Sequence, residues 1–177
     1  MVKLCCKFRL FWAATLMAAA ACAFAAGPPR VPVTHDLQAD GQRSEQRSLP
    51  IMLVFTAPGC SYCKLLKRDF LKPMLRSGDY ANKVLIREVK IEAGQSVVDF
   101  AGKSVSTSAL AQRYHVRVTP TVLFLDGQGR ELAKPMVGIN SVDFYGSYLD
   151  QSIDVARSKL QAGHSAADAA RSTAHSG

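Results

Sequence analysis

Three absences narrow the sequence before any motif is read. Beyond residue 25 no apolar run approaches the roughly 20 residues that a spanning helix needs, so a multi-span membrane protein is excluded. Beyond the same point cysteine is nearly missing: Cys5, Cys6 and Cys22 lie before it, and only Cys60 and Cys63 follow. Two cysteines make at most one bridge, which excludes a multi-disulfide scaffold. No aromatic platform is interleaved with the basic residues, so nucleic-acid binding by base stacking is excluded as well. Internal repeats are absent. What is present is a chain of 177 residues, 48% hydrophobic and 20% charged, with a formal charge of +8. That balance belongs to a globular domain rather than to a disordered or fibrous chain.

Residues 1–25 read as a removable export signal. Lys3, Lys7 and Arg9 form a basic start, Leu10 to Phe24 an apolar stretch of about 15 residues, and Ala23-Phe24-Ala25 a small-x-small cleavage site. Cleavage leaves 19 bases against 14 acids, a charge of +5. Export implies an oxidising compartment, the periplasm, in which a cysteine pair can form a disulfide. The alternative is lipid attachment at Cys22, for which Ala19 stands where Leu is usual.

Residues 26–48 are polar and broken by Pro28, Pro29, Pro32 and Gly41, and read as a linker with one weak helix around Asp36 to Arg47. Ile51 to Thr56 is a continuous apolar run of the kind found in a strand covered on both faces. A helix is expected from Cys60, ended or kinked at Pro73. Val84 to Ile91 reads as a second strand, followed by an irregular stretch and a helix around Ser108 to Tyr114. Thr121 to Leu125 and Glu131 to Val137 read as a hairpin, with Pro135 placing the second strand at a sheet edge. A last helix carries Val142, Tyr145, Leu149 and Ile153, and residues 161–177 read as a disordered tail. The fold class is α/β, with one core across residues 49–160.

Cys60-Ser61-Tyr62-Cys63 stands where the first strand passes through Pro58-Gly59 into a helix. Backbone N–H groups and the positive dipole end at such a site favour an anion. Thiolate is that anion, and it is the attacking species in disulfide exchange. Cys60 is the expected nucleophile, and Cys63 the resolving thiol. Lys64 and Lys67 add to the positive field nearby. A purely structural disulfide would constrain the unfolded chain little over so short a loop. Half of a zinc site would need two further ligands, and only His35, His115, His164 and His175 are on offer, singly placed. His115 reads as a helix C-terminal cap.

IMLVFTAPGCSYCKLL, followed about 55 residues later by VRVTPTVLFLDGQGRELAKPMVG, resembles a thioredoxin-fold protein of the exported, SoxW-type thioredoxin-like group, over roughly Leu49 to Ile153. The resemblance implies a central mixed sheet flanked by helices and no cofactor beyond a redox-active Cys60–Cys63 disulfide. It implies a cis-proline at Pro120, packed beside the cysteines, and substrate contacts from Ser61, Tyr62, Thr119 and Pro120. Two departures stand out, the first being Gly59-Cys60-Ser61-Tyr62-Cys63 where thioredoxins proper have Trp-Cys-Gly-Pro-Cys. The family's buried acid, six residues before the first cysteine, is replaced by Val54, and nothing on the same strand substitutes for it. Deprotonation of Cys63 is thus left to solvent, substrate or another group. Tyr62 with Thr119 resembles the periplasmic disulfide isomerases, but residues 26–48 are too short for their dimerisation domain.

The absence of a large helical insertion favours a reductant over an oxidant. The expected partners are exported cysteine-containing proteins and a membrane thiol-relay electron donor. The competing readings are a disulfide oxidant or isomerase, a binding module in which redox turnover is incidental, and a metal-delivery module. Lys64 to Lys90 holds eight bases and three acids, which accounts for the whole mature excess. Such a run steers acidic partners, favours anionic lipid headgroups or simply forms a solvated face.

Overall fold

The computed structural model describes Gly27 and residues 29–174, with side chains as far as residue 166. The stretch read as an export signal and Cys22 lie outside these residues. In chain order the elements are α1 (Leu37–Arg47), β1 (Ile51–Thr56), α2 (Ser61–Leu66), a π-helical turn (Lys67–Leu71), α3 (Lys72–Ser77), β2 (Leu85–Lys90), β3 (Ser96–Val98), β4 (Ser104–Ser106), α4 (Thr107–Arg113), β5 (Thr121–Leu125), β6 (Glu131–Val137) and α5 (Val142–Ala174).

Four strands form one mixed sheet in the order β2-β1-β5-β6. β1 runs parallel to β2 and antiparallel to β5, and β6 is antiparallel to β5. Alternation along each strand sends neighbouring side chains to opposite faces. Met52, Val54, Ile86, Val122 and Phe124 enter one apolar layer with Leu66, Leu71 and Met74 of the α2–α3 helix and Tyr145, Leu149 and Ile153 of α5. Ile51, Leu53, Phe55, Leu85, Val89, Leu123 and Leu125 enter the other, with Leu37 of α1 and Leu110 and Ala111 of α4. All six residues of β1 are buried because helices cover both faces of the sheet. Pro135 lies on the edge strand beside a break in the β5–β6 register, where no ladder N–H is required.

Several segments differ from their sequence reading. The stretch read as a linker is integrated into the domain. Glu88 N–H donates to the Pro32 carbonyl (2.8 Å) and Thr34 N–H to the Glu88 carbonyl (2.9 Å), extending the sheet beyond β2. Asp36 caps α1 by accepting from Ala39 N–H (2.8 Å), and buried Asp40 accepts from Arg87 (2.7 Å), Arg43 (3.0 Å) and Thr34. Gly41 permits close packing of α1, since a Cβ there would collide with the carbonyl of Gly127. The tail read as disordered is helical through Ala174, in keeping with an alanine content that favours helix without tertiary support.

The irregular stretch after Gly94 contains the β3–β4 hairpin. Asp99 holds its turn, accepting from the N–H groups of Ala101 (3.0 Å) and Lys103 (2.9 Å) and from Arg113 (2.8 Å). Pro73 neither ends nor sharply breaks its helix. The wider π turn just before it absorbs the missing donor, and α3 continues to Ser77.

Leu37 is fully buried against the sheet, so α1 is expected to carry folding energy. Leu37→Ala is expected to cost about 2–5 kcal/mol, the range for a buried leucine in a packed core. Denaturant unfolding measures it, and a loss below about 0.5 kcal/mol would place α1 outside the cooperative unit.

Candidate active site

The site is built where β1 stops. Thr56 is its last buried residue, and Ala57-Pro58-Gly59 then turns the chain, with Gly59 at φ +74°, a conformation suited to glycine. The turn is closed by Cys60 N–H donating to the Ala57 carbonyl (3.4 Å) and delivers Cys60 to the N-cap of α2. At an N-cap the backbone is extended, and the side chain faces the free N–H groups of the first turn. Cys60 Sγ takes the place usually held by a Ser or Asp oxygen, accepting from Cys63 N–H at 3.1 Å. A sulfur carrying negative charge would be stabilised by that bond and by the helix dipole.

Cys60 and Cys63 are joined as a disulfide, with Cα atoms 5.3 Å apart. The two sulfurs are not equivalent. Cys60 is half-buried at the rim, whereas Cys63 is only 2% exposed and faces the sheet. Ser61 and Tyr62 lie between them on the outer surface, with Tyr62 56% exposed.

A second loop completes the site from the far side of the chain. The Thr119–Pro120 peptide is cis, Pro120 is buried, and Thr119 presents its carbonyl oxygen 3.5 Å from Cys60 Sγ. The loop is pinned by Thr121 Oγ1 donating to the Val118 carbonyl (2.7 Å) and by Gly138 N–H donating to the Pro120 carbonyl (2.8 Å). Val118 remains 52% exposed beside it. A groove of about 360 Å³ lined by Ala57, Ser108, Gln112, Val116 and Thr119 runs along one side. All six residues singled out in the sequence are thus brought to one end of the sheet, where β1 ends and β5 begins.

His115 closes α4 with φ +54°, its N–H donating to the Gln112 carbonyl at 3.0 Å, an αL residue just past a helix end. Among the described residues no three His, Cys, Asp or Glu side chains gather as a metal site.

Glu88 and Thr56, at the end of the sheet below α2, were not singled out in the sequence, and Lys67 was read there only as a source of positive field. Glu88 on β2 is 2% exposed and accepts from Thr56 Oγ1 (2.6 Å) and Lys67 Nζ (2.8 Å). Lys67 is therefore committed to an ion pair rather than to a free positive field near Cys60. The signal was there to find: Glu88 is the one acid within the buried strand run VLIREVKI, and Lys67 follows Cys63 by one helical turn.

The thioredoxin-like domain family matches residues 37–153. No curated protein matches the chain. Among solved structures, an oxidoreductase titled DsbH is 17% identical over 72% of this chain and 88% of its own, with a TM-score of 0.50. The oxidised C-terminal domain of DsbD from Neisseria meningitidis is 18% identical over 64% of this chain and 90% of its own, with a TM-score of 0.46. A thioredoxin from Fasciola hepatica is 17% identical over 70% and 96%, also at 0.46. With a family match across about two thirds of its length and a bridged Cys-x-x-Cys at the strand-to-helix turn, the chain belongs to the thioredoxin-like domain family and is a thiol:disulfide oxidoreductase.

Proposed function

We propose that this protein is an exported, periplasmic member of the family, of the SoxW-type group, that reduces disulfides or thiol adducts on other exported proteins. The observation that carries the reading is the asymmetry of the pair. Cys60 sits at the rim, its sulfur accepting the Cys63 N–H bond, while Cys63 lies beneath it facing the sheet. Only the outer sulfur can be reached by a bulky partner, so Cys60 is the nucleophile and Cys63 the resolving thiol.

In the forward direction the Cys60 thiolate attacks one sulfur of the target disulfide. A Cys60–target bond forms and the target's second sulfur leaves as thiolate. Cys63 then attacks Cys60 Sγ, releases the target's first sulfur, and leaves the Cys60–Cys63 disulfide. Two electrons pass to the target, and protons complete its two thiols. The Thr119 carbonyl, 3.5 Å from Cys60 Sγ, is placed to accept from a backbone N–H of the bound segment. Pro120 supplies the apolar floor beside it, and Ser61, Tyr62 and exposed Val118 the surrounding contact surface. Each turnover needs electrons from outside, so a membrane thiol-relay donor is the implied partner. The leader read over residues 1–25 supports the location, and the absence of a large helical insertion among the described residues between the site-forming elements supports the reducing direction.

Two measurements test this. Cys63→Ser is expected to trap partner proteins as mixed disulfides on Cys60, and Cys60→Ser to trap none. Equal trapping by both variants removes the role assignment. The equilibrium potential of the pair against glutathione is expected below about −200 mV, toward the reducing thioredoxins. A value near −120 mV would make the protein an oxidant.

A further inference from the structure

One buried ionic group takes no part in the exchange as described so far. Glu88 is held from both sides through its backbone, paired with β1 at the register of Val54 and with the chain at Pro32 and Thr34. Val54 and Thr56 point to the sheet face covered by α2, and Glu88, opposite Val54, points to the same face. A carboxylate at 2% exposure is costly unless it is paired, and an apolar pair of similar volume would serve stability as well or better. A charge kept at this depth therefore calls for a use. Thr56 and Lys67 both donate to Oε1, and Oε2 accepts no hydrogen bond among the described residues. Cys63 precedes Lys67 by four residues, so the two share one helix face, and from that face Lys67 reaches this carboxylate.

We propose that Glu88, held in place by Lys67 and Thr56, is the proton acceptor for the Cys63 thiol in the resolving step. The inference rests on the exchange roles of Cys60 and Cys63 given above. The proton leaves Cys63 Sγ for the Glu88 carboxylate as the Cys63 sulfur bonds to Cys60 Sγ and the Cys60–target bond breaks. Glu88 then returns the proton toward the departing thiolate or solvent, and in the reverse direction it supplies the proton that restores the Cys63 thiol. The acid absent at Val54 is thus replaced from the neighbouring strand.

The charged neighbours leave few competitors. Lys67 faces Glu88 from the helix, and Lys90 lies two residues further along β2 at the exposed end. Arg87 points the other way, to Asp40. Tyr145 of α5, in the same apolar layer, has its pKa raised by burial to about 12 and stays protonated in the working range.

The test separates resolution from attack. The Cys60–glutathione adduct is formed in acid, the pH is jumped upward, and glutathione release is followed across pH. Attack on oxidised glutathione is followed separately in the Cys63→Ser background. Glu88→Gln, which preserves shape, is expected to slow release at neutral pH by about tenfold or more and to shift its rise to higher pH, with attack within about twofold of native. Lys67→Met, a second variant in case the first does not fold, is expected to slow release selectively as well. Native release in Glu88→Gln, or equal slowing of attack and release, would overturn the proposal. Loss of attack with Glu88 intact would instead remove the exchange roles themselves.

Discussion

A sulfur anion can persist at a protein surface at neutral pH only where fixed donors are aimed at it, and in this chain the donors are the free N–H groups of one helix end. The rest of the fold serves that placement. β1 is rigid because both of its faces are buried, and its end fixes the point from which the chain turns. Gly59 supplies the turn, Cys60 occupies the cap position, and Cys63 N–H meets its sulfur. Because β5 runs antiparallel to β1, its start lies at the same end, so the Thr119–Pro120 loop arrives opposite Cys60 without any long-range adjustment.

The charges arrange themselves differently from what a count along the chain suggests. The basic run from Lys64 to Lys90 contains Lys67, Arg68 and Arg87, each paired with Glu88, Asp69 or Asp40. The two pairs that are buried on the acid side tie elements together: Lys67 joins the active-site helix to β2, and Arg87 joins β2 to α1. The Arg68–Asp69 contact between adjacent exposed residues contributes little. What is left as a surface field comes from Lys64, Lys72, Arg76, Lys83 and Lys90, none of which has a salt bridge among the described residues.

Much of this was legible in the letters. The continuous apolar run at Ile51–Thr56, the Pro-Gly turn before Cys60 and the hairpin around Asp126-Gly127 each carry strong local signals, and the structure places these elements where the pattern does. What escaped was set by contacts distant in sequence. Residues 32–34 have no strand pattern and join the sheet only because the edge of β2 at Glu88 is open to them. β3 and β4 have three residues each, too few to show a period. The π turn before Pro73 depends on how a helix already packed on the sheet accommodates a missing donor. Glu88 was hidden for a related reason: a search along the strand of Val54 cannot see a residue that faces the same way from the strand beside it.

The account stands on the state of Cys60 Sγ in the reduced protein. Its ionisation can be followed by thiolate absorbance, or by the rate of alkylation against pH, with Cys63→Ser isolating the one thiol. The account expects a midpoint well below the value of about 8.5 for free cysteine, so that thiolate dominates at neutral pH. A midpoint at or above that value would contradict it, since the helix end would then be holding a thiol of no special reactivity.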